Sequence, residues 1–269
     1  MNLKDKVVVV TGAGSGMGRE LTFALLKHGA KVAAADLNPT TLEETAALAA
    51  HAELFTQPLD ITDRAAVDAF PAAVKARFGA VDCVINNAGI IQPFADVKDL
   101  DYAVIDRVFN VNWRGTLHMT KAFLPHLLER PEAHLVNVSS MGGFMPFPGQ
   151  AAYGASKAAV KLLTESLYAE LLGSHVHVSL VFPGAIHTNI MSNSGLKQPE
   201  GAADKASKMM LEPDAAARAI IKGIERNALY VHVGKDSKAL DKLYRLTPRK
   251  AIEVITRQMK KMLVTTDVK

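Results

Sequence analysis

Cysteine is almost missing from this 269-residue chain, and the single Cys83 excludes an intramolecular disulfide and any zinc site built from several cysteines. No apolar run approaches the ~20 residues that a helix needs to span a bilayer. Met1 to Lys6 lead into only four valines before Thr11-Gly12, too little for a secretory signal, so a reducing, cytoplasmic setting is expected. No internal repeat, low-complexity tract or Gly/Pro/Ser-rich linker divides the chain. Charge of one sign is also lacking over most of its length. The net charge is +4, but residues 235–269 hold ten Lys/Arg and four Asp/Glu, a net +6, which leaves −2 on residues 1–234. A body so charged is not a nucleic-acid binder, and only the tail is basic. That tail permits contact with a membrane surface, although a solvated helical face explains it as well. The nine histidines form no zinc-binding helix motif and are expected at the surface or at helix caps. No Gly-x-Ser-x-Gly elbow supports a serine hydrolase. Asn137-Val138-Ser139 fits the glycosylation pattern but lies in an expected buried strand.

What is present is ordinary globular composition, 49% hydrophobic and 22% charged. Apolar runs at Lys6–Thr11, Lys31–Asp36, Glu53–Gln57, Val81–Asn86, Ala133–Ser139, Val176–Phe182 and Leu229–Val233 read as strands. Most are continuously apolar, as strands covered on both faces are. Helical patterns alternate with them, among others at Gly16–His28, Thr40–Ala50, Asp63–Phe78 and Ala152–Leu172. The alternation implies right-handed crossovers and one α/β domain around a parallel sheet. Two segments break the rhythm. A polar insertion at 186–212 is expected over the carboxyl ends of the strands, and the chain from Asp236 reads as two short helices interrupted at Thr247-Pro248. The expected organisation is therefore a catalytic body over 1–234 and a basic helical extension over 235–269.

Thr11-Gly12-Ala13-Gly14-Ser15-Gly16-Met17-Gly18 follows the first strand and opens a helix. Glycines at 12, 16 and 18 allow a tight turn, close approach to a pyrophosphate and close helix–strand packing. The helix N-terminus presents free N–H groups and partial positive charge to such an anion. Arg19, in place of Lys-Ser/Thr, excludes a Walker A loop. Asp36 closes the second strand, where a carboxylate can bond both hydroxyls of an adenosine ribose and repel a 2′-phosphate. Asn38 or Thr40 is the more natural cap for the helix that follows.

With Asn86-Asn87-Ala88-Gly89, Ser140, Tyr153-x-x-x-Lys157 and Pro183-Gly184 added, the chain from about Leu3 to Val233 resembles the short-chain dehydrogenase/reductases in order and spacing. The resemblance implies a Rossmann-type, doubly wound parallel sheet of about seven strands. It also implies a nicotinamide cofactor, reversible oxidation of alcohols to carbonyls, and a homotetramer or dimer. It places the active-site tetrad on Asn112, Ser140, Tyr153 and Lys157; family spacing alone selects Ser140 over Ser139 and Asn112 over Asn110. Cofactor contacts fall on Gly12, Ser15, Gly16, Met17, Gly18, Asp36, Asp60, Ile61, Asn87, Ala88, Gly89, Tyr153, Lys157, Pro183, Gly184, Ile186 and Thr188.

Tyr153 and Lys157 are four apart on an expected helix and so share a face, which lets the ammonium, together with the positive nicotinamide ring, favour phenolate and lower a pKa of ordinarily about 10. Ser140 would bond the substrate oxygen, and Asn112 resembles a residue that holds a relay water to Lys157. Asp36, with no basic residue at 13, 15 or 37, points to NAD and away from an NADPH-dependent 3-oxoacyl carrier-protein reductase. A non-catalytic dinucleotide sensor would not need the serine, tyrosine and lysine together. Phe144, Met145 and Phe147, between Ser140 and Tyr153, are expected to wall an apolar small-molecule substrate, a hydrophobic secondary alcohol or its ketone. Met209-Met210 suits either an apolar lid or a core-facing turn. Val160, Leu163, Leu167 and Leu171 are expected to exceed one core stripe and serve a subunit contact.

Overall fold

The computed structural model describes residues 1–196 and 210–264, with side chains as far as Met259. Residues 197–209 of the expected insertion, Met209 among them, and the last five residues of the basic extension lie outside the described residues. Seven strands form one sheet: β1 (Val7–Thr11), β2 (Lys31–Asp36), β3 (Leu54–Pro58), β4 (Cys83–Asn86), β5 (Ala133–Val138), β6 (Val176–Pro183) and β7 (Tyr230–Val233). Their spatial order is β3-β2-β1-β4-β5-β6-β7, with every neighbouring pair parallel. The helices are α1 (Gly16–Lys27), α2 (Pro39–Ala49), α3 (Arg64–Phe78), α4 (Tyr102–Phe109), α5 (Thr116–Leu128), α6 (Ala151–Glu170), α7 (Ile190–Asn193), α8 (Pro213–Glu225), α9 (Lys235–Leu246) and α10 (Pro248–Val264). The break between α9 and α10 falls at Thr247-Pro248, as the ring of proline requires.

The period-two alternation of β1 divides the core. Val8 and Val10 pack with Leu21 and Leu25 of α1 and Ile220 and Ile224 of α8, whereas Val7 and Val9 face Phe70 of α3 and Phe123 of α5. Phe70 and Phe123 meet edge to face with centroids 5.5 Å apart. All five residues of β1 are buried, and each fully buried apolar side chain stabilises the fold by roughly 1.5–3 kcal/mol. The strand order reverses between β1 and β4, so their carboxyl ends open a crevice beside Thr11 and Asn86.

Two expectations about side chains are corrected. Val160 and Leu167 of α6 are buried, and Leu163 and the capping Leu171 pack against the core that holds Leu167, so these four face inward. The outward apolar residues are Leu162 (65% exposed) and Tyr168 on the helix and Leu172 just past its end. His134 is not at the surface: it lies within β5, its Nε2 2.8 Å from Ser179 Oγ, and burial pulls its pKa down to about 3.

Candidate active site

At the end of β1 the chain turns through Gly12 and Gly16 at φ +70° and +51°. A Cβ on Gly12 would come within 2.9 Å of Asn87 Nδ2 and 3.0 Å of Ala88 Cα, and one on Gly18 would strike the Gly12 carbonyl. The turn is thus pressed flat against the loop after β4. Thr11 holds that loop, its Oγ1 accepting from the Asn87 and Ala88 amides at 3.1 Å each. Ser15 precedes α1 without capping it; its Oγ accepts from Asn193 Nδ2 at 2.8 Å, so the first amides of α1 keep no side-chain partner from Ser15. Thr188 sits over Gly16, its Cβ 3.2 Å from where a side chain would begin.

Both oxygens of Asp36 are fixed by main chain, Oδ2 by Gly14 N–H at 2.8 Å and Oδ1 by Asn38 N–H at 2.9 Å. Asn38 is the cap of α2, accepting from Thr40 N at 3.0 Å. Arg19 donates to the Gly14 and Thr41 carbonyls and pairs with Glu44 at 3.0 Å. Asp60 folds its carboxylate onto Thr62, whose amide and hydroxyl both donate to Oδ1 at 2.8 Å.

Ser140, Tyr153 and Lys157 meet at the carboxyl end of β5. Lys157 is buried and its Nζ donates to the Val138 carbonyl at 3.0 Å. Ser139 is equally buried, and its hydroxyl donates to the Lys157 carbonyl at 2.8 Å, which ties α6 to the strand. Ser140 accepts from Gly142 N at 3.0 Å, and its hydroxyl and the Tyr153 ring both lie against Gly142. Asn112 lies on a π-helical turn, Asn110–Gly115, and is fully buried. Its Oδ1 accepts from Ile90 N at 2.9 Å while its Nδ2 donates to Ile90 O at 3.0 Å and Ser156 Oγ at 2.9 Å. Asn110 only accepts from Arg114. A Cβ on Gly89 would lie 3.0 Å from Lys157 Nζ and 3.1 Å from Asn112 Oδ1, so glycine lets the three approach.

Burial raises the Tyr153 phenol above its usual range, and the nearby Ser140 hydroxyl only partly opposes this. Burial also lowers Lys157 to about 8. In the chain alone both groups sit where either charged form is poorly solvated, and the amine is turned to the Val138 carbonyl; the expected lowering of the tyrosine also calls on the positive nicotinamide ring.

One cavity of about 990 Å³ joins these features, running from Asp36, Leu37 and Asp60 past the glycine turn to Ser140, Tyr153 and Lys157. Every expected site residue lines it except Asn112, which stands behind Ile90. Pro183, Gly184 and Ile186 line it as β6 ends, and Ile186 pairs with Leu211 at the root of the insertion. The cavity's apolar lining includes Ile91, Phe94, Met141, Phe147, Ile190 and Met259, and Asp106, Arg107, Asn110 and Asn193 line it as well. Two of the three expected apolar wall residues are elsewhere. Met145 is fully buried beneath the loop against Ala251 and Ile255, and Phe144 packs edge-on against Phe182.

A sequence profile of the short chain dehydrogenase family matches residues 6–199. The chain belongs to the short-chain dehydrogenase/reductase family. A Mycobacterium tuberculosis protein named as the oxidoreductase SadH is 38% identical over 254 residues, 91% of this chain and 92% of that protein. A short-chain dehydrogenase/reductase from Burkholderia phymatum, solved with NAD, superposes with a TM-score of 0.83 at 28% identity, covering 95% of this chain and 97% of the other. One from Burkholderia cenocepacia, solved with NADP, gives 0.79 at 28% identity over 95% and 99%.

Two positioning residues of this dehydrogenase/reductase fold escape any reading of spacing. Gln92 is wholly buried and holds the Tyr153 amide and the Gly149 carbonyl, and Gln150 Nε2 donates to the Gln92 carbonyl at 3.0 Å. No local motif marks either glutamine.

Proposed function

We propose that this oxidoreductase transfers a hydride between NAD(H) and a hydrophobic secondary alcohol or its ketone, with Tyr153 as the acid/base. The observation that carries this reading is the convergence of Ser140, Tyr153 and Lys157 at one end of a cavity that has the fixed carboxylate of Asp36 at the other. The cavity suits a dinucleotide: glycines leave its floor free of side chains, and the α1 N-terminus faces its middle without a cap from Ser15. Gly12, Ser15, Gly16, Met17 and Gly18 would hold the pyrophosphate, Asp36 the adenosine ribose, Asp60 and Ile61 the adenine. Asn87, Ala88, Gly89, Pro183, Gly184, Ile186 and Thr188 would wall the nicotinamide half. When bound, that group supplies the hydride acceptor or donor.

The chain's own residues handle the proton. Ser140 anchors the substrate oxygen, and Tyr153 takes the hydroxyl proton as the alcohol becomes a ketone, or returns it in the reverse direction. Burial lowers the Lys157 pKa to about 8, so its ammonium releases a proton more readily than that of an exposed lysine, and Asn112 fixes the Gly89–Ile90 main chain beside it.

The preference for NAD rests on charge. Among the residues lining the Asp36 end none is cationic, and Arg19 is committed to Glu44 and two carbonyls. Seating a 2′-phosphate against that carboxylate costs several kcal/mol. Leu162, Tyr168 and Leu172 support a homodimer or tetramer through α6. Division into a catalytic body (1–234) and a basic extension (235–269), and a cytoplasmic location, belong to the same proposal. No described helix is long and apolar enough to cross a membrane.

Tyr153→Phe tests the assignment. The hydroxyl alone is removed, so folding and dinucleotide binding persist while alcohol oxidation falls by at least ~10²-fold. Near-normal turnover in this variant overturns the role of Tyr153.

A further inference from the structure

The helix that ends the described chain packs on the loop that joins Ser140 to Tyr153, and its Met259 lines the cavity. Ser140 and Tyr153 are joined by a loop whose Met141, Gly142 and Phe147 line the cavity. Beneath that loop Met145 is fully buried against Ala251 and Ile255 of α10, with Phe144, Leu240 and Tyr244 around them. Ala251, Ile255 and Met259 follow one another at intervals of four residues and therefore share a helical face. The first two are buried under the loop; the third emerges in the cavity wall. The register is fixed by charge as well, since Arg249, Lys250, Glu253 and Arg257 all point to solvent.

We infer that Met259 is a specificity-determining residue, so that α10, outside the catalytic motifs, limits the apolar group that can sit beyond Tyr153. The inference rests on the function proposed above and names the part of the site that measures its substrate. Methionine suits such a wall, because an unbranched thioether adapts its shape to an alkyl chain at little cost. The stripe also explains the Met145 anchor: α10 is held on the loop by two buried contacts, and its next turn is thereby delivered to the cavity.

The test uses the full chain with Met259→Ala, Met259→Trp and, on the solvent face of α10, Glu253→Ala. The ratio of kcat/KM for 2-decanol over 2-butanol is expected to rise roughly tenfold in the alanine variant and to fall by a similar factor in the tryptophan variant. Glu253→Ala should leave it unchanged. A second readout is stabilisation of the NAD-loaded protein by 2-decanone in thermal unfolding, which needs no turnover. Ketone stabilisation that depends on Met259 in a protein oxidising no alcohol supports this inference while sinking the proposed reaction. A ratio and a ketone shift within twofold of the parent chain in both Met259 variants overturn the inference and leave the reaction standing. Absence of any ketone stabilisation in the parent chain also overturns it.

Discussion

Gln92 holds Tyr153 by the main chain: its Oε1 accepts from the Tyr153 amide at 2.9 Å, while its Nε2 donates to the Gly149 carbonyl at 3.0 Å. One buried side chain thus spans the loop after β4, the loop before α6 and the first turn of α6. Gln92→Ala should leave the dinucleotide dissociation constant within about twofold while kcat falls roughly tenfold, because the phenol loses its fixed aim. Steady-state kinetics and cofactor fluorescence check both halves. An unchanged kcat removes Gln92 from the positioning of Tyr153.

Lys157 carries a stability cost that pH can expose. Its folded pKa, about 8, lies below the ordinary 10.5, so the unfolded chain binds more protons between these values and the cost of the buried charge is relieved as pH rises through them. Lys157→Met should therefore unfold at higher denaturant than the parent chain at pH 7, by roughly 1–3 kcal/mol, with the gain shrinking towards pH 10.5. Turnover should be lost. Denaturant titrations at pH 7 and pH 10 measure the difference; a gain independent of pH contradicts the assigned cause.

Asp36→Ala removes the carboxylate proposed to meet the adenosine ribose and also frees the Gly14 and Asn38 amides. Efficiency with NAD should fall and efficiency with NADP should rise, moving their ratio by about 10²-fold. Parallel kinetics with the two cofactors give the answer. A parent enzyme already faster with NADP is the contrary result.

The two faces of α6 should respond differently. Leu167→Ala opens a cavity in the core and should lower unfolding free energy by about 2–5 kcal/mol. The pair Leu162→Glu and Tyr168→Glu should leave the far-ultraviolet spectrum intact and reduce the mass seen by light scattering. A parent chain that is already monomeric at micromolar concentration refutes the oligomer.

The strands were legible because residues covered on both faces form continuous apolar runs, and the glycine turn because its spacing sits between strand and helix. Tyr153 and Lys157 were legible as one helical turn. The sidedness of α6 was not: positions 160, 163, 167 and 171 fit helical spacing whichever way the helix rolls, and only its neighbours in the core decide. Met145 and Phe144 were misplaced for a similar reason, since nothing local says which side of a loop α10 covers. Gln92 binds partners 57 to 61 residues away, and a pairing at that range leaves no periodicity. His134 reads as polar, yet it lies inside with Nε2 bonded to Ser179 on the neighbouring strand and Nδ1 without a partner among the described residues.

Where β6 ends, Gly184 lies against the carboxylate of Asp236, which fills the space a methyl group would take. That carboxylate accepts from Ala185 N at 2.9 Å, and the adjoining Ser237 hydroxyl donates to the Phe182 carbonyl at 2.8 Å. Two positions 52 apart in sequence therefore share one small volume. A combinatorial library randomised at 184 alone should return glycine almost exclusively, whereas one that also shortens 236 opens the cavity mouth to redesign.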